Sequence, residues 1–320
     1  SPQDERNRRT PVLTVIKDSR SALMPSCCCP QWGVLTHRFT RTLMIKDVFT
    51  WLDGSVSDEI RMSAALDIVR QFEGHATGLF FSVLPPPPAP IEGDLTGALG
   101  IAALMDQARA SGDKMEKTIV DRLKRYGVAI ELRRFDVLRS DIADVAAREA
   151  RCADAFVLIR PNGSQDPDRL VEGILFGSGR HILLVPEVER PKSIVFNRIL
   201  VAWNASREST RAVAEAMPYL RIAKDVSVVM VTEEPRKQME GSVGDAIKKH
   251  LKHHGVAAEL HRVKCRNGNV GETLLAEAKK ARSDLIVLGG YGHTRLREML
   301  LGGVTYHLMH NSPVPLLMAH

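Results

Sequence analysis

The same order of strands and helices occurs twice along this chain, and this repeat restricts the possible folds more than any other feature. Leu52-Asp53-Gly54-Ser55 corresponds to Trp203-Asn204-Ala205-Ser206, and Ala153–Leu158 corresponds to Ser283–Leu288. The first two segments are 151 residues apart and the second two are 130 residues apart, so the first copy contains about 21 additional residues. They stand between its first and fourth strands, where a proline tract (85–88) precedes a long helical stretch. Two copies of one folding unit are therefore expected.

Short apolar segments alternate with stretches of helical periodicity in both copies. This alternation, with short turns, predicts an α/β fold in which helices cover both faces of a parallel sheet. We predict strands at 47–52, 77–84, 129–135, 155–159 and 181–185, then at 198–203, 226–231, 257–263, 285–288 and 315–318. Between them we predict helices from residue 57 along α-periodic positions 60–69, then at 95–126 and 142–151, and at 207–220, 244–254, 270–281 and 305–310. A charged, proline-containing linker at 187–196 separates domain 44–189 from domain 195–320.

The net charge of +6 suggests an anionic partner until the charges are located along the chain. Residues 1–43 hold four of these six excess positive charges and show no sustained period of 2 or 3.6, so we predict a disordered or non-native leader. The rest of the chain is nearly neutral, which argues against a nucleic-acid partner.

No apolar run approaches the roughly 18 residues of a membrane span, so we expect no membrane partner. Cys27–Cys29 could bind a metal or react with oxidants, or be unpartnered thiols; the other two cysteines match no disulfide framework, and we expect a reducing, cytoplasmic location.

A glycine-rich segment, 289–305, directly follows the predicted strand at 285–288. In a parallel sheet this position lies at the carboxyl edge, where doubly wound folds bind ligands. Glycines at 289 and 292 allow backbone N–H groups to approach an anion without interference from a Cβ atom. Gly302 and Gly303 open the last predicted helix, whose free N–H groups and positive dipole end suit a phosphate.

These residues carry a resemblance to a known family: the chain resembles a tandem universal stress protein. The ATP-binding signature of that family is Gly-x2-Gly-x9-Gly-(Ser/Thr), and Gly289, Gly292 and Gly302 have this spacing. The resemblance spans 44–320 and implies two tandem doubly wound domains, each with a five-stranded parallel sheet in the order 3-2-1-4-5, of the adenine-nucleotide α-hydrolase-like fold. It also implies that the strands at 181–185 and 315–318 pair in an intramolecular pseudo-dimer, and it leaves a further homodimer open.

The resemblance further implies a site for ATP, with or without Mg²⁺, in the second domain. The residues that it places around the nucleotide are Ala202, Trp203, Asn204, Val231, Gly289, Gly292, His293, Gly302, Gly303 and Val304. Two of them depart from the family pattern: Asn204 replaces an aspartate, and Gly303 replaces a serine or threonine. The first domain has no Gly-x2-Gly after Ile159, although Asp53 keeps the family's acid. We therefore expect the first domain to be a degenerate copy that pairs with the second.

The sequence offers little support for catalysis or metal binding. It contains no Gly-x4-Gly-Lys-(Ser/Thr) loop and no dinucleotide fingerprint after the first strand of a domain. His250 and His254 stand at i and i+4 and could bind Zn²⁺, but the lysines around them favour a solvated helix face. We expect a cytoplasmic stress-response protein that binds ATP or a related adenine nucleotide and acts through nucleotide-dependent association, with no catalytic residue. The alternatives are a nucleotide-free scaffold and a weak ATPase.

Overall fold

A computed structural model of the protein describes residues 45–86, 95–161, 165–187, 193–232, 239–290 and 303–320, with the side chains of 95–99, 165–167 and 239–242 left aside. The predicted leader, the end of the proline tract and residues 291–302 of the glycine-rich segment lie outside these residues. The described strands are β1 (Asp47–Leu52), β2 (His75–Leu84), β3 (Ile130–Leu138), β4 (Ala155–Ile159), β5 (His181–Val185), β6 (Arg198–Ala202), β7 (Asp225–Thr232), β8 (Ala258–Lys264), β9 (Leu285–Gly289) and β10 (Leu316–Ala319). The helices are α1 (Ser57–Phe72), α2 (Leu95–Leu123), α3 (Ile142–Ala150), α4 (Gln165–Gly177), α5 (Arg207–Ile222), α6 (Met239–His253), α7 (Val270–Lys280) and α8 (Gly303–Asn311).

All ten strands belong to one sheet, in the order β3-β2-β1-β4-β5-β10-β9-β6-β7-β8. Within β1–β5 and within β6–β10 the pairing is parallel and the order is 3-2-1-4-5, which confirms the predicted fold class. The two halves meet at an antiparallel pairing of β5 with β10, with Leu183 opposite Leu317. The halves therefore share one continuous sheet, and the domain boundary between residues 189 and 195 remains a prediction.

Helices cover both faces of this sheet. Helices α1, α5 and α6 pack on one face through small and branched side chains such as Ala65, Ala216 and Leu251. Helices α3, α4, α7 and α8 pack on the opposite face, where Ile174 and Leu308 are fully buried. Because both faces are covered, the central strands are apolar at successive positions rather than at alternate ones.

Helix α4 (Gln165–Gly177) was not among the helices predicted from the sequence. Turn-forming residues precede it, and Pro167 lies in its first turn, where a proline is tolerated because the N–H has no partner within the helix. Its apolar positions Leu170, Val171, Ile174 and Leu175 follow the helical period and are buried against the sheet. That period was the signal that could have identified the helix.

The additional residues of the first half lie between β2 and β3. The separation between equivalent residues falls from 150, between His75 and Asp225, to 128, between Ile130 and Ala258. Helix α2 accordingly has 29 residues, against 15 in α6. Within the described ranges, no helix has both the length and the apolar composition needed to cross a bilayer.

A buried polar network joins the two halves where β5 begins. The Nδ1 atom of His181 lies 3.0 Å from Oε2 of Glu215, and its Nε2 atom lies 3.0 Å from the hydroxyl of Tyr219. Burial raises the pKa of Tyr219 well above its usual range, so the hydroxyl stays protonated and can donate to the imidazole. Phe72 and Phe196 pack edge-on against Tyr219, so residues of both halves enclose this network.

Candidate functional site

The turn after β6 connects the sheet to the start of α5. The backbone N–H of Trp203 donates to the carbonyl of Val229 at 3.0 Å, which ends the strand. The side-chain oxygen of Asn204 then accepts from the N–H of Ser206 at 3.1 Å, and Ala205 adopts a left-handed conformation with φ of 59°. Ser206 is the N-cap of α5, because its Oγ atom accepts from the N–H of Ser209 at 3.1 Å. Asn204 is exposed here, but its side-chain oxygen already accepts a hydrogen bond within the turn.

We expect Ser206→Ala to lower the free energy of unfolding by about 1 kcal/mol, because the first turn of α5 loses its side-chain cap. Chemical denaturation followed by circular dichroism measures this change. The comparison variant is Ser55→Ala in the first half, where Ser55 Oγ accepts from the N–H of Ser57 at 3.2 Å and from Arg61 at 3.4 Å but does not cap α1. An equal loss in both variants would contradict the capping role.

Gly289 ends β9 directly against the first turn of α5. A Cβ atom at this position would lie 2.5 Å from the carbonyl carbon of Glu208 and 2.5 Å from the backbone nitrogen of Ser209. Both are backbone atoms, so no rotation of a side chain could relieve the overlap. The glycine therefore allows the end of β9 and the start of α5 to approach each other at the carboxyl edge of the sheet.

Helix α8 begins at Gly303, as the sequence predicts for the second glycine pair. A Cβ atom at Gly303 would meet no atom of the described residues within 4 Å, so none of them requires a glycine at this position. Val304 packs beside the same core cluster as Ala202 and Val231. The structure thus brings Ala202, Val231, Gly289 and Val304 to one edge of the sheet, whereas Gly292, His293 and Gly302 lie outside the described residues.

This edge of the sheet lies within the part of the chain that matches a known protein family. The model of the universal stress protein family matches residues 196–320. These residues are a universal stress protein domain. No curated protein matches the sequence.

Solved structures that match both halves of the chain show that the first half has the same fold. Their low sequence identity does not assign the first half to the family. A universal stress protein from Archaeoglobus fulgidus DSM 4304 is 16% identical over 86% of this chain and 96% of its own, with a TM-score of 0.63. A functionally unknown protein from Pseudomonas aeruginosa PAO1 is 13% identical over 86% of this chain and 92% of its own, with a TM-score of 0.52. A chain from P. aeruginosa UCBPP-PA14 is 15% identical over 86% and 93%, also with a TM-score of 0.52. Since these matches cover both halves, the first half has the same architecture as the universal stress domain.

The turn after β1 has the conformation of its counterpart in the universal stress domain. Asp53 Oδ1 accepts from the N–H of Ser55 at 2.9 Å, and Gly54 has a φ of 81°. Here, however, the carboxylate is also paired: the guanidinium of Arg61 lies 2.7 Å from Asp53 and bonds Asp58 as well. Burial alone would raise the pKa of Asp53, but the charge of Arg61 and the hydrogen bonds of Ser55 outweigh burial and lower it.

Helix α2 closes this turn from outside. Arg122 donates to the carbonyls of Gly54 and Ser55 at 2.6 and 2.7 Å, and the sulfur of Met115 lies where a Cβ atom of Gly54 would be. In the universal stress domain the positions of Arg61 and Arg122 are Ala212 and His250. The two arginines that bond to the turn after β1 therefore have no arginine counterparts at the turn after β6.

Three residues near the site make contacts that the sequence did not predict. His320 and Phe176 were not among the predicted ligand contacts, whereas Trp203 was. His320 donates from Nδ1 to the carbonyl of Gly290 at 3.0 Å and stacks edge-on with Phe176 of α4. Trp203 packs on the face of the sheet opposite to Ala202, and its Nε1 atom is buried without a hydrogen-bond partner in the described part of the chain. No sequence motif distinguishes either contact, because each depends on how the helices pack.

The histidines of α6 do not form a metal centre with the residues around them. The rings of His250 and His254 lie 4.6 Å apart, but within the described ranges no group of three or more metal-ligating side chains comes together. Desolvation and the nearby charges of His250 and Arg221 lower the pKa of His254, which is consistent with a strongly basic helix face.

Proposed function

We propose that the universal stress domain binds ATP or a related adenine nucleotide at the carboxyl edge of β6, β7 and β9. The observation that carries this proposal is that Ala202, Val231 and Gly289 lie at the carboxyl ends of β6, β7 and β9, with Val304 of α8 packed beside the same core cluster as Ala202 and Val231, in a chain whose glycines have the family's spacing. The backbone around Ala202, Trp203 and Val231 would face the nucleoside. Gly289, Gly292, His293, Gly302, Gly303 and Val304 would surround the ribose and phosphates, and Mg²⁺ would neutralise part of the phosphate charge.

The protein would act in a stress response through nucleotide-dependent association rather than catalysis, and we propose a cytoplasmic location. The antiparallel pairing of β5 with β10 supports an intramolecular pseudo-dimer in which the first half is the partner that does not bind nucleotide. The ion pair between Arg61 and Asp53 supports this difference between the halves, because it already occupies the carboxylate of the first half. A further homodimer is part of the same proposal and would be measured by the mass in solution with and without ATP.

Calorimetric titration of the full chain with ATP and Mg²⁺ tests the binding directly. Heat of binding with one site per chain is the expected result. A Gly292→Val variant, which places a branched side chain in the phosphate loop, should lose it. Wild-type binding by this variant would refute the location of the site, and the absence of both heat and co-purified nucleotide would refute nucleotide binding altogether.

We expect Gly303→Ser to bind ATP about two- to tenfold more tightly, because the hydroxyl restores a donor worth about 0.5–1.5 kcal/mol. No atom of the described part of the chain lies within 4 Å of a Cβ at Gly303, so the added atoms should cost no packing energy against it. Gly303→Ala is the matched control, since it adds the Cβ atom without the hydroxyl and should leave the affinity nearly unchanged. Equal affinities for the serine and alanine variants would contradict a hydroxyl contact with the phosphates.

A nucleotide-free scaffold is the second candidate, and the two departures from the family pattern favour it. Asn204 lacks the negative charge of the family's aspartate and its oxygen is used by the turn, while Gly303 supplies no hydroxyl. This function predicts no calorimetric heat with ATP and an unchanged mass in solution. Steady phosphate release above that of the Gly292→Val variant would instead support the third candidate, a weak ATPase.

A further inference from the structure

A cavity of about 180 Å³ lies in the first half, away from the proposed nucleotide site. It is open to solvent on one side and is lined by the end of β1, the first turns of α1, the last turns of α2 and the 3₁₀ turn Lys124–Tyr126 that follows α2. The long helix that distinguishes the first half therefore provides one wall of this cavity.

The floor of the cavity is apolar. Leu52, Met62, Ile119 and Leu123 line it, and all four side chains belong to one buried cluster of the core. An apolar cavity of about 150 Å³ in another protein stays dry and binds benzene. The whole cavity, rim included, thus has the volume for one six-membered ring, and its floor has the apolar chemistry to contact that ring.

The rim is polar and balanced in charge, with Asp58 and Glu59 against Arg122 and Arg125. Asp58 accepts from the backbone N–H groups of Asp53 and Gly54, and Arg122 donates to the carbonyls of the same turn, so both already have partners. These bonds also hold the wall in place without a ligand. Because the rim carries two charges of each sign, it favours neither an anion nor a cation.

Tyr126 lies among these rim groups with its hydroxyl available. Within the described ranges its side chain makes no hydrogen bond, and the ring is half-buried. Burial and the neighbouring Glu59 and Asp58 carboxylates raise the pKa of Tyr126, so the hydroxyl remains protonated at neutral pH and can donate or accept. A ligand that places a small polar group at the rim would replace solvent as the hydrogen-bond partner of this hydroxyl.

We propose that this cavity binds a small uncharged ring compound of the phenol class, with its ring on the apolar floor and its hydroxyl hydrogen-bonded to Tyr126. Phenol matches both parts of the cavity, whereas benzene matches only the floor. The residues that make the rim are particular to the first half, since Arg122 and Tyr126 correspond to His250 and His254 in the universal stress domain.

Calorimetric titration of the full chain with phenol and, separately, with benzene tests this proposal. We expect both to bind, and Tyr126→Phe to weaken phenol about two- to tenfold while leaving benzene unchanged, because only one hydrogen bond is lost. Tyr306→Phe, at an exposed tyrosine of α8, is the matched control and should alter neither affinity. Ile119→Phe should fill the floor and abolish binding of both compounds.

Three results would overturn the proposal. They are the absence of phenol binding by the wild-type protein, equal losses for phenol and benzene in Tyr126→Phe, and wild-type phenol binding by a folded Ile119→Phe variant. If Ile119→Phe does not fold, the comparison of phenol with benzene in Tyr126→Phe decides the matter by itself. Saturation with ATP should leave the phenol affinity unchanged, so the outcome does not depend on the nucleotide site.

Discussion

Arg61→Met is expected to lower the free energy of unfolding by about 3–5 kcal/mol, because it leaves the buried carboxylate of Asp58 and the partly buried one of Asp53 without their shared counter-charge. Arg61 is 3% exposed and pairs with both Asp53 and Asp58, and its guanidinium also lies 4.7 Å from the ring centre of Trp51. The loss should fall near the lower end of the range, since Asp53 is one-third exposed and Asp58 keeps Arg122 at 3.9 Å. Urea denaturation at neutral pH measures it.

Two further variants separate charge burial from simple loss of packing. Adding Asp58→Asn to Arg61→Met removes one of the stranded charges and should recover part of the stability. Arg109→Met removes an exposed ion pair with Asp106 on α2 and should cost less than about 1 kcal/mol. Because the pKa of Asp53 is lowered in the folded protein, its stabilising contribution is present above the unfolded pKa and should disappear as the pH falls through the folded value. A double variant no more stable than Arg61→Met would contradict the electrostatic explanation.

Gly289→Ala is expected to cost about 1–3 kcal/mol of stability, because the new methyl group overlaps backbone atoms of α5. Relief requires β9 and the first turn of α5 to move apart, since Glu208 and Ser209 contribute main-chain atoms to the overlap. We also expect ATP affinity to fall at least tenfold, as this movement separates the two loops that would enclose the nucleotide. Denaturation and calorimetry measure the two effects separately.

Gly303→Ala is the control for this second prediction. It adds the same methyl group at the start of α8, where no atom of the residues that the structure describes lies within 4 Å of the new position. Its stability should equal or slightly exceed that of the wild type, since alanine is the better helix former. Unchanged stability in Gly289→Ala would show that the approach of β9 to α5 is more easily relaxed than the structure indicates.

Periodicity and apolar runs located most elements closely. Strands β1, β4 and β5 have the predicted bounds, and most other strands differ by one to three residues at an end. Helix α4 was missed because a proline and turn-forming residues obscured its beginning. The strand order 3-2-1-4-5 came from the family resemblance and not from periodicity, which carries no information on which strands are neighbours.

The candidate site could be predicted only in part from the sequence. The glycine spacing predicts a nucleotide-binding segment after β9, which stays a prediction, and the repeat located the turns at Asp53 and Asn204. The requirement for glycine at position 289 depends on its distance from α5, and the closure of the turn after β1 depends on Arg61 and Arg122. Neither could be read from local patterns, because each contact joins residues from different elements.

The sequence by itself determined that this protein consists of two copies of an alternating strand–helix unit, and that the glycine-rich loop belongs to the second. It could do so because strand and helix periods, turns and motif spacings are local properties of a chain. The family resemblance implied that β5 and β10 pair, and the structure shows this pairing joining the copies into one sheet. Only the tertiary structure decided that the first copy's turn is engaged by its own arginines. Those outcomes depend on side chains distant in sequence that meet when helices pack on a sheet, where burial makes an unpaired charge or a backbone overlap costly.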